Sequence, residues 1–373
     1  MHLRQATGGY ISIMFYVTYS VNTHEQTLAA NLFDLIYTQQ TTQPPIVRTI
    51  NHTYTFETET ITPMPNLQAS LDTLLNTITH MVNSFEYHRF KIPKATGGFR
   101  EICAPNNELK AAQRLIVGWM QNTCRTLAHD AAYAYISGRS TKDACVVHQN
   151  NKSKWMLKID LKDFFPSCTG EFVFAQLKKI YPYCLLSDDS LRELLRFCLL
   201  NNALPQGAPT SPIITNTIMI PYDFAIKKTL QSYNGVHYVY TRYADDLLIS
   251  SKIKFNPNEV VRYLEHTLPD NLKIKQEKTR FGSTAGRNWN LGLMLNKDND
   301  ITIGYREKQR LRAMVNALLN DYTRGIIWSA EDKNHAQGKL AYLKYIEPAY
   351  YDGMISKYET KYGVQVKDAL RIL

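Results

Sequence analysis

The chain has 373 residues, of which 44% are hydrophobic and 20% are charged, so it can bury a sizeable core and cannot be disordered throughout. It carries 43 lysine and arginine residues against 33 aspartate and glutamate residues, a formal net charge of +10. This balance favours a polyanionic partner, most commonly nucleic acid, although a solvated basic surface would give the same count.

Membrane and zinc-binding proteins are disfavoured by the remaining composition. No apolar run reaches the roughly 18 residues that a membrane span needs. The six cysteines form no C-x-x-C or Cys/His cluster, which disfavours a structural zinc site. We therefore expect a cytoplasmic protein that does not bind a membrane.

The first 85 residues form a compositional zone that is rich in threonine and poor in lysine. Residues 53–62 (TYTFETETIT) alternate in the manner of a half-buried strand, and residues 67–82 repeat apolar residues at helical spacing. No pattern here carries chemistry. The zone predicts a small α+β extension, or a surface for a partner protein or a second copy of the chain.

The next 215 or so residues predict an alternation of short strands and helices. A first pair of strands, within 90–105, joins around the Gly97-Gly98 pair, and a second, within 236–251 (VHYVYTRYADDLLISS), flanks a tight turn. Further elements are a helix at 109–127, a strand at 155–159, helices at 171–180 and 189–200, a loop at 205–212 (PQGAPTSP), and short strands at 291–295 and 301–303. Beyond Arg306 the pattern is helical and basic.

Two adjacent carboxylates, Asp245 and Asp246, lie between apolar strands. Adjacent side chains on a strand point to opposite faces, so these two can converge only where the backbone turns. A hairpin tip fits the apolar flanks. An ordinary solvated Asp-Asp turn is the alternative.

A second acidic cluster favours a functional interpretation. Asp160 ends an apolar strand, where a carboxylate is costly unless a positive charge compensates it. A divalent cation would do so, because Mg²⁺ takes hard oxygen ligands and substrate phosphates. Two such ions roughly 4 Å apart activate an attacking oxygen and stabilise a leaving one. We therefore predict that Asp160, Asp245 and Asp246 form a two-metal site for phosphoryl transfer.

The order of several short motifs resembles that of a reverse transcriptase. They are DLKDFFPS at 160–167 (similar to the first palm motif), LPQGAPTSP at 204–212 (the nucleotide-pocket loop), YADD at 243–246 (the metal-binding hairpin), EKTR at 277–280 (a lysine near the triphosphate) and LGLMLN at 291–296 (the primer-grip strand). The resemblance covers roughly residues 86–350. It implies an α+β right-hand polymerase with an antiparallel palm sheet. The domains would be an α+β extension at 1–85, fingers and palm at 86–300, and a helical thumb at 301–373.

The resemblance also implies roles for the acidic residues and one lysine. Asp160, Asp245 and Asp246 would bind two Mg²⁺ ions, for which Mn²⁺ could substitute, and Asp163 would be a structural carboxylate. Lys278 would protonate the pyrophosphate leaving group as a general acid, or would instead contact the nucleic-acid backbone.

Other residues would form the nucleotide pocket. Phe165 occupies the steric-gate position, where a bulky ring favours dNTPs over NTPs. Gln206 would lie beside the incoming nucleotide and the template base, and Gly207 would let the backbone approach closely. Lys94 and Arg100 bracket the glycine turn of the first hairpin, from which both could reach the triphosphate.

The motifs resemble the bacterial branch that contains retron, group II intron and defence-associated reverse transcriptases. Two strings depart from the retron pattern: ACVVH at 144–148 stands where retrons carry N-A-x-x-H, and WNLG at 289–292 stands where they carry V-T-G. These departures, the extension, and the lack of room for an RNase H, integrase or HNH domain favour the defence-associated members. His148 could touch RNA or be a buried structural histidine.

The resemblance implies an RNA-directed DNA polymerase that copies a dedicated non-coding RNA in bacterial anti-phage defence, with dNTPs as substrates and DNA as product. Two alternatives remain open. The same active site could perform template-independent or protein-primed DNA synthesis. The chain could also be a catalytically idle RNA-binding scaffold, which predicts that Asp245→Ala leaves function intact.

Overall fold

A computed structural model describes residues 67–93, 97–124, 126–231, 233–284, 289 and 292–371. The helices are α1 (Leu67–Met81), α2 (Asn107–Thr123), α3 (Thr141–Asn150), α4 (Phe164–Ser167), α5 (Gly170–Leu177), α6 (Asp188–Arg196), α7 (Thr210–Leu230), α8 (Pro257–Thr267), α9 (Tyr305–Thr323), α10 (Ala330–Ile346), α11 (Pro348–Tyr362) and α12 (Val366–Ala369). The strands are β1 (Tyr87–Pro93), β2 (Phe99–Pro105), β3 (Trp155–Asp160), β4 (Tyr238–Tyr243), β5 (Asp246–Ser251), β6 (Arg280–Ser283), β7 (Met294–Leu295) and β8 (Ile301–Thr302). Short 3₁₀ turns lie at Tyr183–Leu185, Tyr233–Gly235 and Gln276–Lys278.

The first two strands form the hairpin predicted around the glycine pair. They are antiparallel, with Tyr87 opposite Pro105 at the base. Gly97 and Gly98 have φ values of 89° and 77°, a conformation that costs glycine little and other residues more. All residues of β1 after Tyr87 and the first three residues of β2 are exposed, so the tip of the hairpin stands away from the core, where fingers are expected.

The palm sheet has the strand order β4-β5-β3-β6 and is antiparallel throughout. Because side chains alternate along a strand, the sheet presents two faces. Leu157 and Leu247 lie in the main core, together with helices α1, α2 and α5 to α8. Met156 and Leu248, on the opposite face, join a second core that contains the thumb helices. The predicted α+β fold with an antiparallel palm sheet is confirmed.

The predicted helix at 67–82 is confirmed as α1, and it packs on α2 and α6. Leu71 and Ile78 are fully buried in the main core, and Trp119 of α2 donates from its indole nitrogen to Ser70 Oγ at 3.1 Å. This helix, which the sequence assigned to the extension, therefore packs with the fingers and palm. The strand predicted at 53–62 lies outside the described residues.

Helices α9 to α12 lie in the segment predicted as the thumb and pack around the second apolar core. Leu311, Leu318 and Leu343 are buried there, and the small hairpin of β7 and β8 contributes Leu295 and Ile301. Helix α3 lies between this core and the palm sheet. Among the described residues, no helix is both long and apolar enough to cross a membrane.

Candidate active site

The three predicted carboxylates lie at one end of the palm sheet. Asp160, the last residue of β3, is directly opposite Asp246, the first residue of β5. A two-residue turn of Ala244 and Asp245 connects β4 to β5, and the N–H of Leu161 donates to the Asp245 carbonyl at 3.0 Å. Directly opposed residues of an antiparallel pair have Cβ atoms about 4.5–5.5 Å apart, so the side chains of Asp160 and Asp246 are neighbours. The predicted hairpin tip is present, with a φ of 56° at Ala244.

The Asp245 carboxyl is influenced by the charges of the other two carboxylates. Desolvation raises the pKa of the Asp245 carboxyl above its ordinary value, and the negative charges of Asp246 and Asp160 raise it further. A hydrogen bond from its own backbone and the charge of Arg100 act in the opposite direction. The three carboxylates thus form a site of concentrated negative charge, on which the charge of Arg100 acts.

Lysine side chains supply positive charge to two of these carboxylates. Lys278 Nζ lies 3.2 and 3.0 Å from the two oxygens of Asp160, and Lys158 Nζ lies 3.0 Å from Asp246 Oδ2. The Asp160 and Asp246 side chains are only 14% and 19% exposed, so these pairs are partly desolvated. Lys158 was not among the predicted residues, although its position two residues before Asp160 places both on one face of β3.

The donor set fits a hard divalent cation. Among the described residues, no group of three His, Cys, Asp or Glu side chains already surrounds a common metal position. Three carboxylates nevertheless lie at one sheet edge, and oxygen is the ligand that Mg²⁺ prefers. The two lysines supply positive charge to the carboxylates. A bound cation would neutralise these carboxylates together with the lysines or in their place.

A buried ion pair, which was not predicted from the sequence, is connected by a hydrogen bond to the turn of the hairpin. Arg242 of β4 and Asp223 of α7 are fully buried, with Arg242 Nη2 2.7 Å from Asp223 Oδ2. Tyr240 donates its hydroxyl to Asp223 at 2.7 Å. Burial opposes the charge of Arg242, but Asp223 outweighs it, so the pKa of the guanidinium is raised. Arg242 Nη1 also donates to the carbonyl of Ala244 at 3.2 Å, which ties the network to the hairpin tip.

The predicted pocket residues Phe165 and Gly207 contact Tyr135 and the fingers strand β2, respectively. Phe165 is 9% exposed, and its ring centroid lies 6.3 Å from that of Tyr135. Gly207 has a φ of 123°, and a Cβ there would lie 2.8 Å from the carbonyl oxygen of Cys103. The N–H of Cys103 donates to the Gln206 carbonyl at 2.8 Å. The close approach at Gly207 is therefore to the fingers strand β2, and it joins the fingers to the pocket loop.

The remaining predicted residues have varied positions. Arg100 is exposed on β2, and its charge acts on Asp245 and Tyr135. Lys94 lies outside the described residues. Asp163 is exposed with a φ of 44°, which reverses the chain between β3 and α4.

His148 of α3 is fully buried between this helix and the palm strands β4 and β5. Its Nδ1 lies 2.6 Å from Ser250 Oγ and its Nε2 lies 2.8 Å from Thr241 Oγ1. Burial lowers the pKa of His148 to about 3, so the ring is neutral near pH 7. Of the two interpretations of this histidine, the structural one fits, because no part of the ring is accessible to RNA.

Comparison with known proteins agrees with the motif order. Residues 92–322 match the reverse transcriptase (RNA-dependent DNA polymerase) family. The chain is 31% identical to the retron Ec73 reverse transcriptase of Escherichia coli over 281 residues, which is 72% of this chain and 86% of that protein. It is 32% identical to the retron Ec83 reverse transcriptase of the same organism over 289 residues, 74% of this chain and 87% of that protein.

A truncated apo telomerase from Candida tropicalis is similar at a TM-score of 0.40 and 17% identity, over 63% of this chain and 60% of that one, too distant to carry an argument.

The departures at 144–148 and 289–292 do not separate the chain from the retron relatives, which match over more than two thirds of its length. The chain belongs to the reverse transcriptase family, as a retron-like bacterial RNA-directed DNA polymerase.

Proposed function

We propose that this polymerase copies RNA into DNA by two-metal nucleotidyl transfer at Asp160, Asp245 and Asp246. One observation carries the proposal: Asp160 and Asp246 are register partners, and Asp245 occupies the turn beside them. Divalent cations bound there, Mg²⁺ or Mn²⁺, would activate the primer hydroxyl and stabilise the leaving oxygen. The scaffold alternative gives no reason for three carboxylates to share one sheet edge at the cost of their mutual repulsion.

The surrounding side chains have roles in binding and proton transfer. Arg100, which is exposed on the fingers hairpin and whose charge acts on Asp245, would bind the triphosphate through its planar guanidinium. Lys278, within hydrogen-bond distance of Asp160, would move from the carboxylate to the leaving pyrophosphate and donate a proton. Phe165 and Gln206 would contact the sugar and base of the incoming nucleotide, with Lys94 on the triphosphate beside Arg100.

The template would be a dedicated non-coding RNA, and the biological role would be anti-phage defence in the bacterial cytoplasm. The similar proteins are named retron reverse transcriptases, which supports the RNA template more directly than it supports the role. Residues 1–85 would provide a surface for a partner protein or a second copy of the chain.

The test is to purify the protein with its accompanying RNA and add Mg²⁺ and labelled dNTPs, beside an Asp245→Asn variant. We expect a DNase-sensitive product that mirrors the bound RNA and is absent with the variant. A product unrelated to the RNA would favour template-independent or protein-primed synthesis instead. Equal synthesis by both proteins would contradict the assignment of Asp245, and no synthesis by either would favour the scaffold.

A further inference from the structure

The segment between α2 and α3 is fastened at several points although it has no regular structure of its own. Arg139 Nη1 donates to the carbonyls of His129 and Ala132 at 3.0 and 2.6 Å. Ala132 also forms a parallel bridge with Arg242 of the palm. Asn216 of α7 donates to the carbonyl of Ala134 at 2.9 Å. The backbone on both sides of Tyr135 is therefore held in place.

Tyr135 itself has a strained backbone and an open side chain. Its φ is 61°, in the left-handed region that favours glycine and penalises a bulky aromatic residue. Its side chain is 59% exposed, so burial in a core does not compensate for the strain. Strained residues that the surrounding structure holds in place are concentrated at functional sites.

The surroundings of Tyr135 are those of the proposed nucleotide pocket. Its ring packs on Phe165, with centroids 6.3 Å apart and planes at 52°. Desolvation raises the pKa of the Tyr135 hydroxyl, as do the charges of Asp245 and Tyr243, whereas Arg100 lowers it. The tyrosine therefore lies within electrostatic range of the catalytic hairpin and of the fingers arginine.

We propose that Tyr135 is a specificity-determining residue that packs against the sugar and base of the incoming nucleotide, an inference that rests on the proposed polymerase function. Phe165 is only 9% exposed and so offers the sugar a small part of its ring, whereas Tyr135, at 59%, offers a larger surface. The two rings form one aromatic wall, with Phe165 supporting Tyr135 from behind. Discrimination against a 2′-OH is then shared between them.

The test compares Tyr135→Ala, Tyr135→Gly and Tyr135→Phe in steady-state incorporation of dNTPs and NTPs. Loss of the ring raises the dNTP KM by about tenfold, the size expected for losing one aromatic stacking face, with a smaller change in kcat. Selectivity for dNTPs over NTPs falls in the same two variants. Tyr135→Phe keeps both properties, because the stacking surface is retained.

Stability measurements separate this role from a structural one. Glycine adopts the observed φ without strain, so Tyr135→Gly raises or preserves the melting temperature while it impairs nucleotide binding. Lys152→Gly is the matched control, because Lys152 is exposed and has a φ of 50°. It precedes Trp155, the first residue of β3, whereas Asp160 is the last residue of that strand. It relieves the same kind of strain and leaves the dNTP KM and sugar selectivity unchanged.

The outcomes distinguish this inference from the proposed function. Unchanged KM and selectivity in Tyr135→Ala and Tyr135→Gly, with synthesis abolished by Asp245→Asn, would overturn the role of Tyr135 alone. Synthesis that survives Asp245→Asn would overturn the polymerase site and this inference with it. A raised KM in Lys152→Gly would show that strain relief by itself produces the effect, which also overturns the proposal.

Discussion

The buried pair of Arg242 and Asp223 gives the sharpest prediction about stability. Asp223→Ala removes the acceptor of two guanidinium nitrogens of Arg242 and of the Tyr240 hydroxyl, all at 0–3% exposure. It leaves an unpaired cation in the core. Breaking a buried pair by removing one partner costs about 3–5 kcal/mol. At roughly 2–4 °C per kcal/mol for a chain of a few hundred residues, the melting temperature falls by roughly 6–20 °C.

The assay is thermal unfolding of Asp223→Ala beside Asp270→Ala. Asp270 pairs with Lys273 at 3.4 Å on a fully exposed surface, so its loss leaves the melting temperature unchanged. Equal shifts in the two variants would refute the reasoning about burial. A third variant with Asp223→Leu and Arg242→Met removes both charges and recovers most of the stability. It also loses the hydrogen bond from Arg242 to Ala244, so we expect its polymerase rate to stay low although the protein is folded.

Three further perturbations test other parts of the site. If Lys278 is the general acid, Lys278→Met lowers kcat by roughly 10²–10⁴-fold with little change in the dNTP KM, as measured under single-turnover conditions. A salt-dependent loss of RNA affinity at unchanged kcat would instead favour a contact of Lys278 with the nucleic-acid backbone. The pKa of His148 is lowered to about 3 in the fold, so the unfolded chain binds a proton below about pH 6.5 that the folded chain does not. Folding stability therefore falls as the pH drops from 6.5 towards 3, by about 1.4 kcal/mol per pH unit, and His148→Gln shows a shallower loss in urea titrations across that window. Gly207→Ala places a Cβ 2.8 Å from the Cys103 carbonyl oxygen at a φ of 123°, so it lowers the melting temperature and raises the dNTP KM, whereas Gly353→Ala in α11, with nothing within 4 Å, does neither.

The three carboxylates of the candidate site were predictable because their signals are local. Two aspartates between apolar strands require a turn if both are to face one site, and the structure has that turn at Ala244 and Asp245. An apolar strand that ends in Asp160 likewise predicts a carboxylate at a sheet edge. What the residues alone left open was which strands are adjacent. The register that places Asp160 opposite Asp246 joins segments more than 80 residues apart, and the family resemblance supplied that adjacency in advance.

The supporting residues were not predictable for the same reason. Asp223 lies in the middle of an apolar helix and Arg242 in an apolar strand, and each is costly there until the other is known to face it. The positive φ of Tyr135 has no local signal, because neither glycine nor asparagine occupies the position. The residues before it are held by Arg242 and Asn216, which lie in other elements, so the local sequence does not show these contacts either.

The arrangement of charge explains how three repelling carboxylates stay together in the folded chain. Lys158 of β3 forms an ion pair with Asp246, and Lys278 of the 3₁₀ turn forms one with Asp160. The charge of Arg100, on the fingers hairpin, opposes the negative charge at Asp245. The hydrogen bond from the buried Arg242 to the Ala244 carbonyl holds the turn that carries Asp245. The carboxylates are therefore positioned by the protein before any cation binds. Under the proposed function, a cation and a nucleotide would meet these carboxylates already in place and would compete with the lysine and arginine side chains for them.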